Sequence, residues 1–328
     1  MGELKLQGRI VLEYMLKNPD MPALTAARAI YKKNPEVYTS VEAVRSLIRA
    51  LVGSNGKKSY PDKRIARPKR DQSSHLLPPS EAGSREDFFI PKGIIRLGIL
   101  SDIHLPYHDE EALKAAIQKL KDEKVNGVLL NGDTIDFYQL SFHEKDPRVR
   151  SFAYEIEVFH KFLEYLKQEL DCPIYFKIGN HEDRYNRYMR LKAPELLDIP
   201  NFDLAEVLQF GKYGVIKIDS LQRIKAGKFT IYHGHEFKGS GGVYPARWLA
   251  LKSKISSAVG HFHKDSEYHF TDSDGKDYVC HSFGCLCDLS PDYLPENDWT
   301  HSCSIITIDN KTGNYVIRKH RIVGGKIY

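Results

Sequence analysis

A chain of 328 residues, 41% hydrophobic and 28% charged, has room for one sizeable domain and a smaller one. No apolar run is long enough to span a bilayer and no positive-then-apolar leader opens the sequence, so membrane and export classes are set aside and a cytoplasmic protein is expected. The net charge of +5 is unevenly spread: residues 1–70 hold 15 Lys plus Arg against 6 Asp plus Glu, and the remainder holds 33 against 37, which predicts an anionic partner for the first segment alone.

Residues 8–52 read as three helices. Arg9 to Lys17 is closed by Asn18-Pro19-Asp20, and Ala23 to Lys33 by Asn34-Pro35. The third is headed by Thr39 and Glu42 in capping-box spacing and stops at Gly53. Val41, Val44, Ile48 and Leu51 form its inner stripe and leave Arg45 and Arg49 together on an outer face. Three short helices with a basic last one outline a helix-turn-helix. The plainer alternative is a helical packing domain with solvated arginines. The next stretch favours the first: Lys57, Lys58, Lys63, Arg64, Arg67, Lys69 and Arg70 face a single acid, and Pro61 and Pro68 keep the segment extended, fit to track a phosphate backbone. A Pro/Ser-rich stretch follows. The expected organisation is a helical domain over 1–56, a basic then Pro/Ser-rich linker over 57–92, and a larger domain over 93–328 that contains the chemistry.

From Gly93 onward short branched-apolar runs alternate with helical ones such as Glu110 to Glu123 and Tyr154 to Leu170. Strands follow over Glu267 to Phe270, Tyr278 to Phe283, Ser304 to Ile308 and Tyr315 to Lys319. This predicts an α/β fold in which mixed sheet is covered by helices. The run Ile94 to Leu100 ends in Asp102 and His104, and alternate residues of an extended segment point the same way, so the two can converge. Four later runs also end in ligand-type residues: Asp133 and Asp136, Asn180 and His181, His233 and His235, His261 and His263. One such ending is commonly a packing accident; five in succession at one end of the strands are not.

D-x-H, G-D-x-x-D, G-N-H-E, H-G-H and G-H-x-H in this order resemble the calcineurin-like metallophosphoesterases, over roughly Ile94 to Lys319. The resemblance implies a four-layer α-β-β-α sandwich, two mixed sheets flanked by helices, beside the small N-terminal all-α domain. It implies two divalent metal ions, with Asp102, His104 and His263 at one, Asn180, His233 and His261 at the other, and Asp133 between them. Mixed carboxylate, carboxamide and imidazole donors suit manganese, the favoured ion, with iron, zinc or nickel as alternatives. Two such ions activate water for in-line attack on phosphorus. By the same resemblance His181 protonates the leaving oxygen and Asp136 orients its ring. His235 is expected behind the ligands or facing substrate. The layout, including "GNHEDRYNRYMRLKAPEL", is also similar to metallophosphoesterases of phage and prophage genomes, which implies a host cytoplasm if the protein is phage-encoded.

Arg184 and Arg187 are candidate phosphate-binding residues, with a solvated helix face as the alternative for Arg187 and Arg190. His108 and His143 are candidates for the cleft border. Tyr185, Tyr188 and Tyr244 are placed either in base stacking or in core packing. The five cysteines are odd in number and lack C-x-x-C spacing, which reads as reduced thiols; for Cys285 and Cys287 a metal contact or a labile bridge stays open. The expected activity is phosphodiester hydrolysis by a nuclease acting on DNA. A phosphomonoesterase of protein or small-molecule substrates, a nucleotide phosphodiesterase, and a DNA-binding protein with a non-catalytic metal site are the alternatives.

Overall fold

The computed structural model describes residues 5–19, 21–52, 80–83, 85–142, 151–239 and 241–328. Lys57, Lys58, Lys63, Arg64, Arg67, Lys69, Arg70 and His143 lie outside them. The chain divides into two compact units, Met1–Ala82 and Gly83–Tyr328.

The first unit holds α1 (Leu6–Lys17), α2 (Ala23–Lys33) and α3 (Val41–Val52). Val11 and Met15 of α1, Ala26, Ala27 and Ile30 of α2, and Val44 and Ile48 of α3 close one small core. Both Asn-Pro breaks work in the same way: Asn18 Nδ2 donates to the Tyr14 carbonyl at 3.0 Å and Asn34 Nδ2 to the Ile30 carbonyl at 3.1 Å, each a second bond to the carbonyl that also accepts from the same asparagine's N–H. The expected capping box shifts by one residue. Ser40, not Thr39, caps α3, its Oγ accepting from the Ala43 N–H at 3.1 Å, and Glu42 turns instead to Arg45 at 3.3 Å and Arg49 at 4.0 Å. The two arginines, read from the sequence as side by side on an outer face, are half-buried and share one carboxylate.

The second unit contains thirteen strands, six α-helices and three short 3-10 helices among the described residues. A seven-stranded sheet has the order β13 (Lys326–Ile327), β12 (Tyr315–Val323), β11 (His301–Ile308), β2 (Arg96–Leu100), β3 (Gly127–Leu130), β4 (Ile174–Lys177), β5 (Val215–Ile218), and β2 to β5 run parallel. A six-stranded sheet has the order β1 (Phe88–Phe89), β6 (Ile224–Ala226), β7 (Phe229–Tyr232), β8 (Ser257–Val259), β10 (Asp277–Ser282), β9 (Ser266–Thr271). Within it β7, β8 and β10 run parallel. Strand β1 falls inside the segment read as linker: Phe88 and Phe89 pair with Ile224 and Lys225, so residues 83–92 belong to this unit.

Alternation within the strands assigns the layers. Leu97, Ile99, Leu129 and Tyr175 meet Ile224, Phe229, Ile231 and Ala258 between the two sheets. The opposite set, Leu100, Val128, Leu130 and Phe176, packs under α4 (Glu110–Asp122) and α5 (Phe152–Glu169) through Leu113, Ile117, Leu120, Phe159, Leu163 and Leu166. The chain from β4 to β5 passes through α6 (Asp183–Lys192), α7 (Leu204–Val207) and α8 (Phe210–Tyr213). On the far side Tyr232, Val259 and Cys280 pack on Leu249 and Ala250 of α9 (Pro245–Ser253). This is two mixed sheets flanked by helices. Strands covered on both faces read as unbroken apolar runs rather than alternating ones, which is why "GVLL" and "FTIY" are buried throughout. Each Leu so buried contributes about 2 kcal/mol.

Candidate metal centre

Five parallel strands, β2, β3 and β4 of one sheet and β7 and β8 of the other, deliver their C-terminal ends to one place. The loops after β2 and β3 run side by side: Asp102 N–H donates to the Gly132 carbonyl at 3.2 Å and His104 N–H to the Asp133 carbonyl at 2.9 Å. Contrary to the expectation of an extended segment, Asp102 and His104 have φ of 55° and 52°. Asp133, His261 and His263 are left-handed as well, at 49°, 66° and 58°. A left-handed non-glycine residue costs about 1 kcal/mol or more, so five at one point mark a backbone bent to aim side chains.

Three overlapping donor groups result, one of them His104, Asp133 and His181. In the others, Asp102, His104 and His263 bring ligand atoms within 4.8 Å of one another, as do Asp133, His233 and His261. His104 Nε2 faces His263 Nε2 at 3.2 Å, and Asp102 Oδ1 lies 3.4 Å from the latter. Asn180 Oδ1 joins the last of these at 3.1 Å from His233 Nε2. Asp133 Oδ2 lies between the groups, 3.2 Å from His233 Nε2 and 4.0 Å from His104 Nε2. Ring nitrogens that face one another beside buried carboxylates are donors arranged for a shared acceptor, and the residues present fit two divalent cations. Burial opposes charge on His233, yet Asp133, with Asp102 and Glu236 behind it, lifts this ring to about 10. The ring of His261, buried and beside His233, falls to about 4.

His181 stands at the edge. Its N–H donates to Asp133 Oδ1 at 2.9 Å, and its Nδ1 lies 2.9 Å from the Asp136 carbonyl and 3.0 Å from Asp136 Oδ1. Burial works against its charge, but Asp133 and Asp136 hold it above the ordinary imidazole value. Asp136 Oδ1 also lies 3.0 Å from His104 Nδ1, so one carboxylate orients both rings, a double duty the sequence did not reveal. Arg184 sits 3.0 Å from His181 Nε2 and donates to the Asp136 carbonyl at 2.8 Å. Arg187 instead lies over the Phe142 ring at 4.7 Å, and Arg190 lies 3.7 Å from Asp183. His235 is tied to Ser220 Oγ at 2.7 Å, and burial, with His233 beside it, lowers it to about 4. His108 forms a backbone bridge with Cys287. Tyr185 is a packing residue, its ring stacked on Phe152 and its hydroxyl bonded to the Phe202 carbonyl at 2.9 Å. Tyr188 is exposed, and Tyr244 packs edge-on against Tyr268.

Three supports escaped the sequence reading. Fully buried Glu182 accepts four backbone N–H bonds, from Asp133, Thr134, Ile135 and Gly179, at 2.7–3.0 Å. Its only signal is its place in G-N-H-E. Lys177, fully buried at the end of β4, donates to the carbonyls of Asp219, Ser220 and Gln222 and pairs with Glu236 at 3.1 Å; Glu236 in turn accepts from the His233 and Gly234 N–H groups. Trp299 lies edge-on to His263, ring centroids 4.2 Å apart. Two glycines are obligatory: a Cβ at Gly179 would strike Asp133 Oδ1, and at Gly132, where φ is 86°, the His233 ring.

A family profile described as calcineurin-like phosphoesterase matches residues 95–293. The "Gene 54 protein" of Mycobacterium phage L5 is 29% identical over 182 residues, 52% of this chain and 69% of that protein. The "Gene 54 protein" of Mycobacterium phage D29 is 26% identical over 251 residues, 70% of this chain and 95% of that one. Among solved structures, Vacuolar Protein Sorting 29 from Cryptosporidium parvum is 18% identical and covers 71% of this chain and 94% of its own, with a TM-score of 0.37. A dimetal phosphatase from Danio rerio is 12% identical, covers 70% and 96%, and has a TM-score of 0.35. Yfce, a phosphoesterase from E. coli, is 15% identical, covers 68% and 97%, and has a TM-score of 0.34. With the profile spanning more than half its length and these ligand-bearing strand ends, the chain belongs to the calcineurin-like phosphoesterase family and is a hydrolase of phosphoester bonds.

Proposed function

We propose that this hydrolase is a phosphodiesterase acting on DNA, with the N-terminal unit and the basic segment after it holding the polyanion. The observation that carries the substrate assignment is the charge partition: 15 basic against 6 acidic residues in 1–70, and 33 against 37 in the rest. A catalytic domain of net negative charge gains little from the phosphate backbone by itself, and a cationic arm supplies that affinity. Arg45 and Arg49 on α3 and the run from Lys57 to Arg70 are assigned to this role, α3 acting as the basic helix of a helix-turn-helix. The phage relatives support a place in the host cytoplasm.

In this reading Asp102, His104 and His263 would hold one divalent cation and Asn180, His233 and His261 another, with Asp133 placed to serve both groups. Bound there, the cations, manganese in the first place, supply Lewis-acid activation of water and neutralise charge building on phosphorus. The residues do the rest. Asp136 accepts from His181 Nδ1, which leaves Nε2 to carry a proton to the leaving oxygen once Arg184, which can only donate to that nitrogen, has turned to the phosphate. Arg184, beside that nitrogen, binds a non-bridging phosphate oxygen. Glu182 fixes the loop that presents Asp133, and Lys177 with Glu236 fixes the loop that presents His233.

The deciding experiment is manganese-dependent cleavage of labelled single- and double-stranded DNA by the full chain, with His181→Ala as the blank. Cleavage absent from the variant supports the proposal. Hydrolysis of small phosphoesters with DNA left intact overturns the substrate and turns the search to phosphoproteins and nucleotides.

A further inference from the structure

Two cysteines in the segment between β10 and β11 have no part in the arrangement above, yet they stand against it. Cys285 and Cys287 are buried, with 0% and 4% of their surface exposed. The backbone pins them: the Cys285 N–H donates to the Thr300 carbonyl at 2.9 Å, and the Cys287 carbonyl lies 2.7 Å from His301 Nε2. Cys287 Sγ lies 3.7 Å from His263 Nδ1. The two sulfurs and a ring nitrogen of His263 all fall within 4.8 Å of one another. The other nitrogen of that ring, Nε2, faces Asp102 and His104. His263 therefore stands between donor sets of opposite character, carboxylate and imidazole on one edge and two thiols on the other.

We propose that Cys285, Cys287 and the Nδ1 edge of His263 form a further cation site, for one thiophilic divalent ion of the zinc or cadmium kind, whose loading competes with the ion at Asp102, His104 and His263. One spacing already matches that of a loaded site, and the third donor is within 4.8 Å. Tetrahedral zinc with bonds of about 2.3 Å to sulfur and 2.0–2.1 Å to nitrogen sets sulfur and nitrogen about 3.6 Å apart, against the 3.7 Å between Cys287 Sγ and His263 Nδ1. A thiol pair plus imidazole selects soft cations over manganese or magnesium. Charge balances: the ion displaces one proton from each thiol, and two thiolates neutralise it, so no net charge is buried. Competition follows from the imidazole itself. A neutral ring has one nitrogen lone pair, so ligation through Nδ1 leaves the proton on Nε2, which then cannot hold the catalytic ion. Thiophilic ions at low excess are thus inhibitors that excess manganese relieves.

Only the inhibition rests on the catalytic reading of His263; uptake of the soft ion stands apart from it. The test titrates cadmium alone into the full-length, metal-free protein under a non-thiol reductant and follows the ultraviolet thiolate-to-cadmium absorption. The expected result is a band that saturates at one equivalent, persists in Cys172→Ser, and in Cys285→Ser/Cys287→Ser is lost or needs about a hundred-fold more cadmium, two thiolate donors having become hydroxyls. Should the double variant fail to fold, the wild type decides: one equivalent of cadmium should shield Cys285 and Cys287, and not Cys172, from alkylation read by peptide mass spectrometry. No band, no shielding, or a band that survives in the folded double variant overturns the site. In a parallel assay of manganese-dependent hydrolysis of bis(p-nitrophenyl) phosphate, inhibition at one equivalent of cadmium is expected in the wild type and absent in the double variant. A protein that binds cadmium as described but hydrolyses nothing would refute the catalytic reading and leave the soft site standing.

Discussion

His181, half-buried, and Glu155, buried, are two titratable groups with opposite consequences when changed. His181 is turned to Asp136 through Nδ1, although its ring also groups with His104 and Asp133; if its role is that of an acid, His181→Ala should keep both cations by metal analysis. Its rate should fall by about a hundred-fold or more on esters with poor leaving groups and far less on p-nitrophenyl esters. An emptied site in that variant would refute the division of roles. Glu155, buried at the N-terminal turn of α5, accepts from the Tyr138 N–H at 3.1 Å, and burial, with Asp136 nearby, pushes its carboxyl up to about 8. The folded chain therefore binds a proton there that the unfolded chain releases near the ordinary value of 4.5. Stability from this group is complete below about 4.5 and declines as pH rises to about 8. Glu155→Gln should remove the decline and be more stable than the wild type above pH 8 by about 1–3 kcal/mol. Thermal unfolding of the pair from pH 5 to 9 measures it; a gap that does not widen with pH argues against a neutral carboxyl.

Among the elements, β4 shows how support is built into a strand. A lysine at the end of a buried run is unfavourable unless fully partnered, and Lys177 has three carbonyls and Glu236. Lys177→Met should cost about 3–5 kcal/mol in urea unfolding, because Glu236 stays buried without its cation, and should weaken metal binding through the loop that bears His233. Unaltered metal affinity in a destabilised but folded variant would confine Lys177 to a structural role. This support was illegible in the sequence, as Lys177 and Glu236 are far apart along the chain and nothing local marks either. Glu182 was hidden for a related reason: its four donors include three from the loop after β3. The ligands were legible because each lies one to four residues past an apolar run, a short-range pattern. The helix breaks at Asn18 and Asn34 were legible too, since asparagine before proline acts on its own turn. Partition of the strands between two sheets depends on long-range pairing, as of β2 with β11, and left no local trace.

For the whole molecule the division at Ala82 and Gly83 sets a functional expectation. Deleting residues 1–82 should leave hydrolysis of a small diester nearly intact, lower DNA affinity, and flatten its salt dependence by several units of slope, about 0.9 for each phosphate no longer neutralised. Fluorescence anisotropy with labelled DNA at several salt concentrations measures this. Equal slopes with and without the N-terminal unit would show that the negatively charged domain binds the polymer without help. None of the described helices is long and apolar enough to cross a membrane.

The left-handed backbone at Asp102, His104, Asp133, His261 and His263 also bears on how such a gene can drift. Glycine is at ease in that conformation and the residues found there are not. His261→Gly keeps the N–H that donates to Asp102 while relieving the backbone. Its metal-free form should be as stable as the wild type or more so, by up to about 1 kcal/mol, although metal binding is lost. A lineage free of the need for metal would thus find changes at this position harmless or favourable, and the ligands would erode without harm to the fold. Five proposed ligands in left-handed conformations therefore carry a backbone cost that the sandwich by itself does not require.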